Sequence, residues 1–324
     1  MNSPRRRGAA LLGAALFLVT ACGGGATTAP SIAATTIPSG TQAPASQAPA
    51  ATLVATVTDA ELITAGRLTI CSDLPYPPIE FFDAQGNPTG SDIDLGAEIA
   101  RRLGLVLAVN NTVFTTIIPA LQGSKCDIII SDQNITTDRI KQVDMIPYFQ
   151  AGQAFVVAKG NPKAINTTDD LCGNTVAAET GTTEVDYLEG TGDYKNGKGL
   201  SAACVTKGKP AIVTKQFDKD SLAALALQSG QVDCYFADFP VAANYANTKP
   251  DSFELAPVPQ LAPAIVGISV LPDAAHKNLE KAVQTALISM INDGTYLDIL
   301  KKYKDDAGAV TAAEAQQINK TTLP

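Results

Sequence analysis

The sequence predicts an α/β protein of two similarly built lobes, each carrying a largely parallel sheet. Two observations predict it. Short β-type runs alternate with stretches of helical periodicity, the pattern of strands joined by helices. One unit also occurs twice: the run from Ala120 to Asp132 (ALQGSKCDIIISD) is echoed from Ala226 to Asp238 (ALQSGQVDCYFAD). Each copy reads as a helix end, a turn, an Asp, a four-residue strand and a second Asp just past it. Two copies suggest two lobes, each offering a carboxylate at the carboxyl end of a strand, where open parallel sheets bind ligands. The plainer alternative is that Asp132 and Asp238 merely start turns.

The elements follow in order. Arg5, Arg6 and Arg7 precede an apolar run from Ala9 to Val19 that is short for a bilayer span, so residues 1–21 read as a signal peptide. The run ends in Val19-Thr20-Ala21-Cys22, which resembles the lipobox of bacterial lipoproteins, where the cysteine is lipidated. An ordinary secretory signal with an incidental cysteine is the alternative. Residues 22–57 are mostly Gly, Ala, Thr, Pro, Ser and Gln, and should form a solvated, disordered tether. From Thr58 onward roughly 265 residues remain, enough for two moderate lobes.

Leu68 to Cys71 reads as a first strand. Ile93 to Leu103 reads as a helix, with Leu95, Ile99 and Leu103 on one face and Gly104 as its stop. Near the end, Leu279, Ala282, Val283, Ala286, Leu287 and Met290 form a stripe of 3.6-residue period. Gly294 closes that helix, and Thr295 is placed to cap a last one through Tyr303.

Composition narrows the functions. The chain carries 24 basic and 32 acidic residues, a balance of −8, and losing the leader arginines makes it more negative. That argues against nucleic acid or anionic lipid as a partner. Beyond Cys22 five cysteines remain, so in an exported protein at least one thiol is free. Cys172 and Cys204, both near turn residues, are the favoured disulfide, with the pairing of Cys71, Cys126 and Cys234 open. No CxxC occurs and the single histidine, His276, is remote in sequence, so neither metal nor another cofactor is expected.

Four stretches then converge on one family: Gly66-Arg-Leu-Thr-Ile with Pro77-Pro78-Ile79-Glu80-Phe81; Gly90-Ser91-Asp92-Ile93-Asp94-Leu95 with Ala97 to Gly104; Ile118-Pro119 with Asp127 and Thr136-Thr137-Asp138-Arg139; and Asp293-Gly294-Thr295-Tyr296 with Lys301-Lys302-Tyr303. In this order they resemble the extracellular solute-binding proteins of family 3, the amino-acid-binding components of ABC transporters. The resemblance implies a two-lobed, periplasmic-binding-protein-like fold of type II. Residues 58–154 with 264–324 would form lobe 1 and 155–263 lobe 2, joined by two crossing hinge strands near Gln150 to Phe155 and Ala264 to Ile268. It also implies hinge closure around an amino acid or related amine, delivery to a membrane permease, and a monomer held outside the cytoplasm by its lipid.

Site residues carry over by position. Arg139 would clamp the ligand carboxylate, a task suited to a planar guanidinium that stays charged. Asp238 would receive the ammonium from lobe 2. Thr182 and Thr183 would complete the carboxylate cradle, Tyr76 and Phe114 would wall the carbon chain, and Asp73 would touch the ligand side chain. Glu80 belongs to a general pattern and is expected to be structural rather than part of the pocket. Three departures stand out: Ser91 replaces a large apolar residue, Asn134 a Thr or Ser, and Asp132 a glycine. Asp132 would either pair with Arg139 or face the ligand. If Asp73, Asp132, Glu179 and Asp238 all line the cleft, four acids meet one arginine, which favours a basic or amine-bearing ligand.

An enzyme is not expected, since no GxSxG, HExxH or Walker pattern appears. The runner-up is an exported enzyme like cyclohexadienyl dehydratase, with Glu179 as its acid. A ligand-sensing module for a membrane receptor is the third reading.

Overall fold

A computed structural model describes residues 53–323. The leader, Cys22 and residues 23–52 of the expected tether lie outside the described residues. The last part of that tether span is docked. Val54 N–H donates to Arg102 O at 3.1 Å, Asn278 Nδ2 donates to Thr56 O at 3.1 Å, and Val54, Ala55 and Val57 pack on the core. These apolar residues set the last few positions apart from the Gly/Thr/Pro run before them.

The chain begins with β1 (Arg67–Ser72), the small hairpin β2 (Phe81–Phe82) and β3 (Pro88–Thr89), α1 (Ser91–Arg102), β4 (Val106–Asn111), α2 (Ile117–Gln122) and β5 (Ile128–Ile129). A long strand, β6 (Asp144–Ala158), leads into β7 (Thr175–Glu179), α3 (Thr183–Glu189), α4 (Leu200–Thr206), β8 (Val213–Phe217), α5 (Asp220–Gln228), β9 (Cys234–Asp238), α6 (Phe239–Thr248) and β10 (Phe253–Leu255). The chain returns through β11 (Leu261–Val270) and ends in α7 (Lys277–Asp293), α8 (Thr295–Tyr303) and α9 (Ala312–Ala315).

The sheet order is β4-β1-β5-β11-β6-β9-β7-β8, with β10 alongside β6. β1 pairs in parallel with β4 and β5 on one side, and β7 in parallel with β8 and β9 on the other. Between them β6 and β11 run antiparallel, with Gln150 opposite Ile265 and Ala151 opposite Ala264. These two strands are the crossing connections of a two-lobed, type II periplasmic-binding-protein-like fold.

Helix periodicity sets the packing. The α7 stripe from Leu279 to Met290 is almost wholly buried. Each large apolar side chain of that kind contributes about 1.5–3 kcal/mol of burial before chain entropy is counted. Gly294 ends α7 in the left-handed region at φ 89°, a conformation that suits glycine. Thr295 does not cap α8. Gly294 holds the cap position, and the Thr295 hydroxyl instead accepts a 3.0 Å bond from Arg102. Ser91 is buried, and its hydroxyl donates to Asp305 at 3.0 Å, tying the start of α1 to the segment after α8.

Disulfides join Cys172 to Cys204 and Cys71 to Cys126, and Cys234 remains a buried free thiol. Among the described residues no helix is long and apolar enough to cross a membrane, and no cluster of His, Cys, Asp or Glu could hold a metal ion.

Candidate functional site

The carboxyl ends of β1, β5, β7 and β9 face a cavity between the two lobes. From lobe 1 it is lined by Asp73, Tyr76, Phe114, Asp132, Asn134 and Arg139. From lobe 2 come Glu179, Thr182, Thr183 and Asp238. All ten residues singled out for ligand contact therefore share one hollow. Three more line it: Ser131, Glu184 and Glu80. The last is a correction, since Glu80 was expected to stay out of the pocket. The hairpin after Pro78 turns it inward, where it is buried and accepts a 2.7 Å bond from Ser131.

The lobes touch across the hollow. Tyr76 Oη donates to Asp238 Oδ2 at 3.0 Å, and Asn134 Nδ2 donates to Thr183 Oγ1 at 2.8 Å. Arg139 donates to Asn134 O at 2.8 Å and Gly181 O at 3.1 Å, with its guanidinium 5.2 Å from the centre of the Phe114 ring. Gly181 is required here. Its φ is 82°, and a Cβ would lie 3.1 Å from Thr115 of the opposite lobe. The ammonium of Lys219, between β8 and α5, bridges to Asp73 and also donates to Leu74 O at 3.2 Å.

The electrostatics are one-sided. Six carboxyl groups line the cavity, from Asp73, Glu80, Asp132, Glu179, Glu184 and Asp238, against a single guanidinium. Both oxygens of Asp132 and one each of Glu80, Glu179, Glu184 and Asp238 are buried without a hydrogen-bond partner among the described residues. Asp132 thus does not pair with Arg139. Burial, and then the neighbouring Glu184, pushes Asp238 well above the usual carboxylate range, against the pull of the Tyr76 hydroxyl and Arg139. Burial, followed by Asp238 and Asp92, does the same to Asp132. Glu179 is pushed up to about 9 by burial, Asp220 and Glu184. Burying acids without partners is costly.

Sequence reasoning passed over Ser131, Glu184 and Lys219. Glu184 directly follows Thr183 and starts the same helix turn, so its place was open to inference. Lys219 had no signal, because its role depends on the closure of one lobe over the other.

Known proteins share this fold. The bacterial extracellular solute-binding proteins, family 3, match over residues 68–306. The ABC transporter arginine-binding protein 1 of Escherichia coli K12 is 30% identical over 227 residues, covering 69% of this chain and 85% of that protein. A solved structure of an ancestral arginine-binding protein bound to arginine is 34% identical with a TM-score of 0.62, covering 74% of this chain and 98% of that one. The ancestral amino acid-binding protein AncCDT-1, a precursor of cyclohexadienyl dehydratase, is 31% identical with a TM-score of 0.61, covering 74% and 95%. The chain belongs to the bacterial extracellular solute-binding proteins, family 3.

Proposed function

We propose that this protein captures an amino acid with a cationic side chain between its lobes and presents it to an ABC permease. The supporting observation is the set of unpartnered carboxylate oxygens facing one guanidinium in a closed cleft. Arg139 would hold the α-carboxylate, and Asp238, on the opposite wall, the α-ammonium. Thr182 and Thr183 would add hydroxyl contacts, and Tyr76 and Phe114 would flank the carbon chain. The remaining acids suit a further positive group. Lobe 1 would comprise 58–154 and 264–324, lobe 2 155–263, with closure about β6 and β11 reporting occupancy to the permease. Cys22 would carry the lipid that holds the monomer outside the cytoplasm. Retention in the membrane fraction and its loss on Cys22→Ala test that part.

Calorimetric titration with a panel of amino acids tests the ligand. A cationic amino acid should bind near micromolar, about −8 kcal/mol. Tight binding only of acidic or aliphatic ones would reject the proposal.

Glu179 gives the dehydratase reading its one specific support, since a buried acid pushed up to about 9 holds a proton to donate. Prephenate turnover by the purified protein would favour that reading over capture. The similarity to AncCDT-1, itself described as an amino acid-binding protein, sits with capture.

A further inference from the structure

Of the six acids in the cavity, Asp73 differs in one respect: it is already satisfied. Its Oδ1 receives the Lys219 ammonium and its Oδ2 receives the Phe114 N–H at 2.8 Å. Neither oxygen is among the unpartnered ones, whereas both Asp132 oxygens and Glu184 Oε1 are. The ion pair also joins the lobes, since Asp73 follows β1 and Lys219 precedes α5. Asp73 is 4% exposed and Lys219 24%, so the pair is well shielded from water. A second cation brought to Asp73 would meet the ammonium of Lys219 at close range, and like charges in a desolvated site repel strongly.

We propose that Lys219 withdraws Asp73 from ligand recognition: by occupying Asp73 from the opposite lobe, it closes that end of the cleft to positive charge and leaves Asp132 and Glu184 as the specificity-determining acids for a ligand's cationic side chain. This rests on the reading that the ligand is a cationic amino acid. It departs from the expectation that Asp73 itself touches the ligand side chain. Lys219 here acts through exclusion, and Asp132 with Glu184 through attraction.

The readout is the ratio of affinities for L-arginine and L-glutamine, which cancels any general effect of a substitution on closure. It is measured by calorimetry on the full chain and on three variants. The double variant Asp73→Asn with Lys219→Met replaces the ion pair by neutral groups of similar size, a change that is often close to neutral for stability. Its ratio should stay within about threefold of wild type. Asp132→Asn and Glu184→Gln should each lower the ratio about tenfold or more. A tenfold collapse of the ratio in the double variant, or its survival in both Asp132→Asn and Glu184→Gln, overturns the inference. If the wild type itself does not prefer arginine, the cationic-ligand reading fails first and this inference falls with it. Thermal melts of each variant confirm that the binding data come from folded protein.

Discussion

The two echoed units, Ala120 to Asp132 and Ala226 to Asp238, treat their first acid alike and their second acid differently. Asp127 accepts the N–H of Thr69 at 2.6 Å and donates its own N–H to Thr69 O at 2.8 Å. Asp233 does the same to Thr175, at 2.9 Å both ways. In each lobe this acid clasps the central parallel strand, β1 or β7. The second acids part company. Asp238 ends a five-residue strand held by β6 and β7 and leads into α6 with ordinary backbone angles. Asp132 follows a strand of only two residues and sits at φ 40°, its N–H turned back to Asp92 Oδ2 at 2.9 Å. An acid that builds a strand junction is confined to one geometry. An acid that faces a cleft is constrained only in where its carboxylate ends.

That contrast is tested most strongly at Asp238. Its side chain makes no helix-cap bond, so Asp238→Asn keeps the shape and removes the charge. If both second acids serve the ligand, this change should weaken arginine binding by about 2–5 kcal/mol, read by calorimetry. Retained affinity would break the parallel between the two units. Next in size is Asp132→Asn. Asn tolerates a positive φ, and the change relieves a buried carboxyl with no partner. Unfolding stability should therefore rise by about 1–2 kcal/mol while arginine affinity falls, two effects of opposite sign. The proton linkage has a definite direction. Asp132 and Asp238 are raised above the usual carboxylate range, so acidification protonates them in the free cleft. A cationic ligand favours their ionised forms, so affinity should fall as pH is lowered toward the ordinary carboxylate range, and less steeply in Asp132→Asn.

The sequence carried the helices and the repeat well, because periodicity depends on which side chains face the core. Leu95, Ile99 and the α7 stripe are buried as their spacing predicts, and α1 spans Ser91–Arg102, close to the expected Ile93 to Leu103. The strand after Asp127 was read as four residues, but pairing covers only Ile128 and Ile129. Local pattern could not foresee that Ser131 and Asp132 leave the ladder to reach Asp73 N–H and Asp92. In the first lobe Asp73, Tyr76, Phe114, Asp132, Asn134 and Arg139 were visible as types and positions, whereas Ser131 and Glu80 were not read as pocket residues. What stayed hidden were relations between lobes, such as Lys219 on Asp73 and Tyr76 on Asp238, whose partners lie more than 140 residues apart.

The smallest effects should come from the first acids, where the units look most alike. Asp127→Ala removes two short acceptor bonds, to the N–H groups of Ile63 at 2.7 Å and Thr69 at 2.6 Å. Asp233→Ala removes one, to Thr175, together with a half-exposed ion pair to Lys163 that contributes little. Leaving buried N–H groups without acceptors costs about 1–3 kcal/mol, so denaturant titration should show Asp127→Ala as the more destabilised of the two. Neither acid lines the cavity, and arginine affinity should be unchanged in both. A binding defect in either would mean that the clasp at the base of a strand also sets the position of the carboxylate at its tip. The separation between building acids and ligand-facing acids would then be lost.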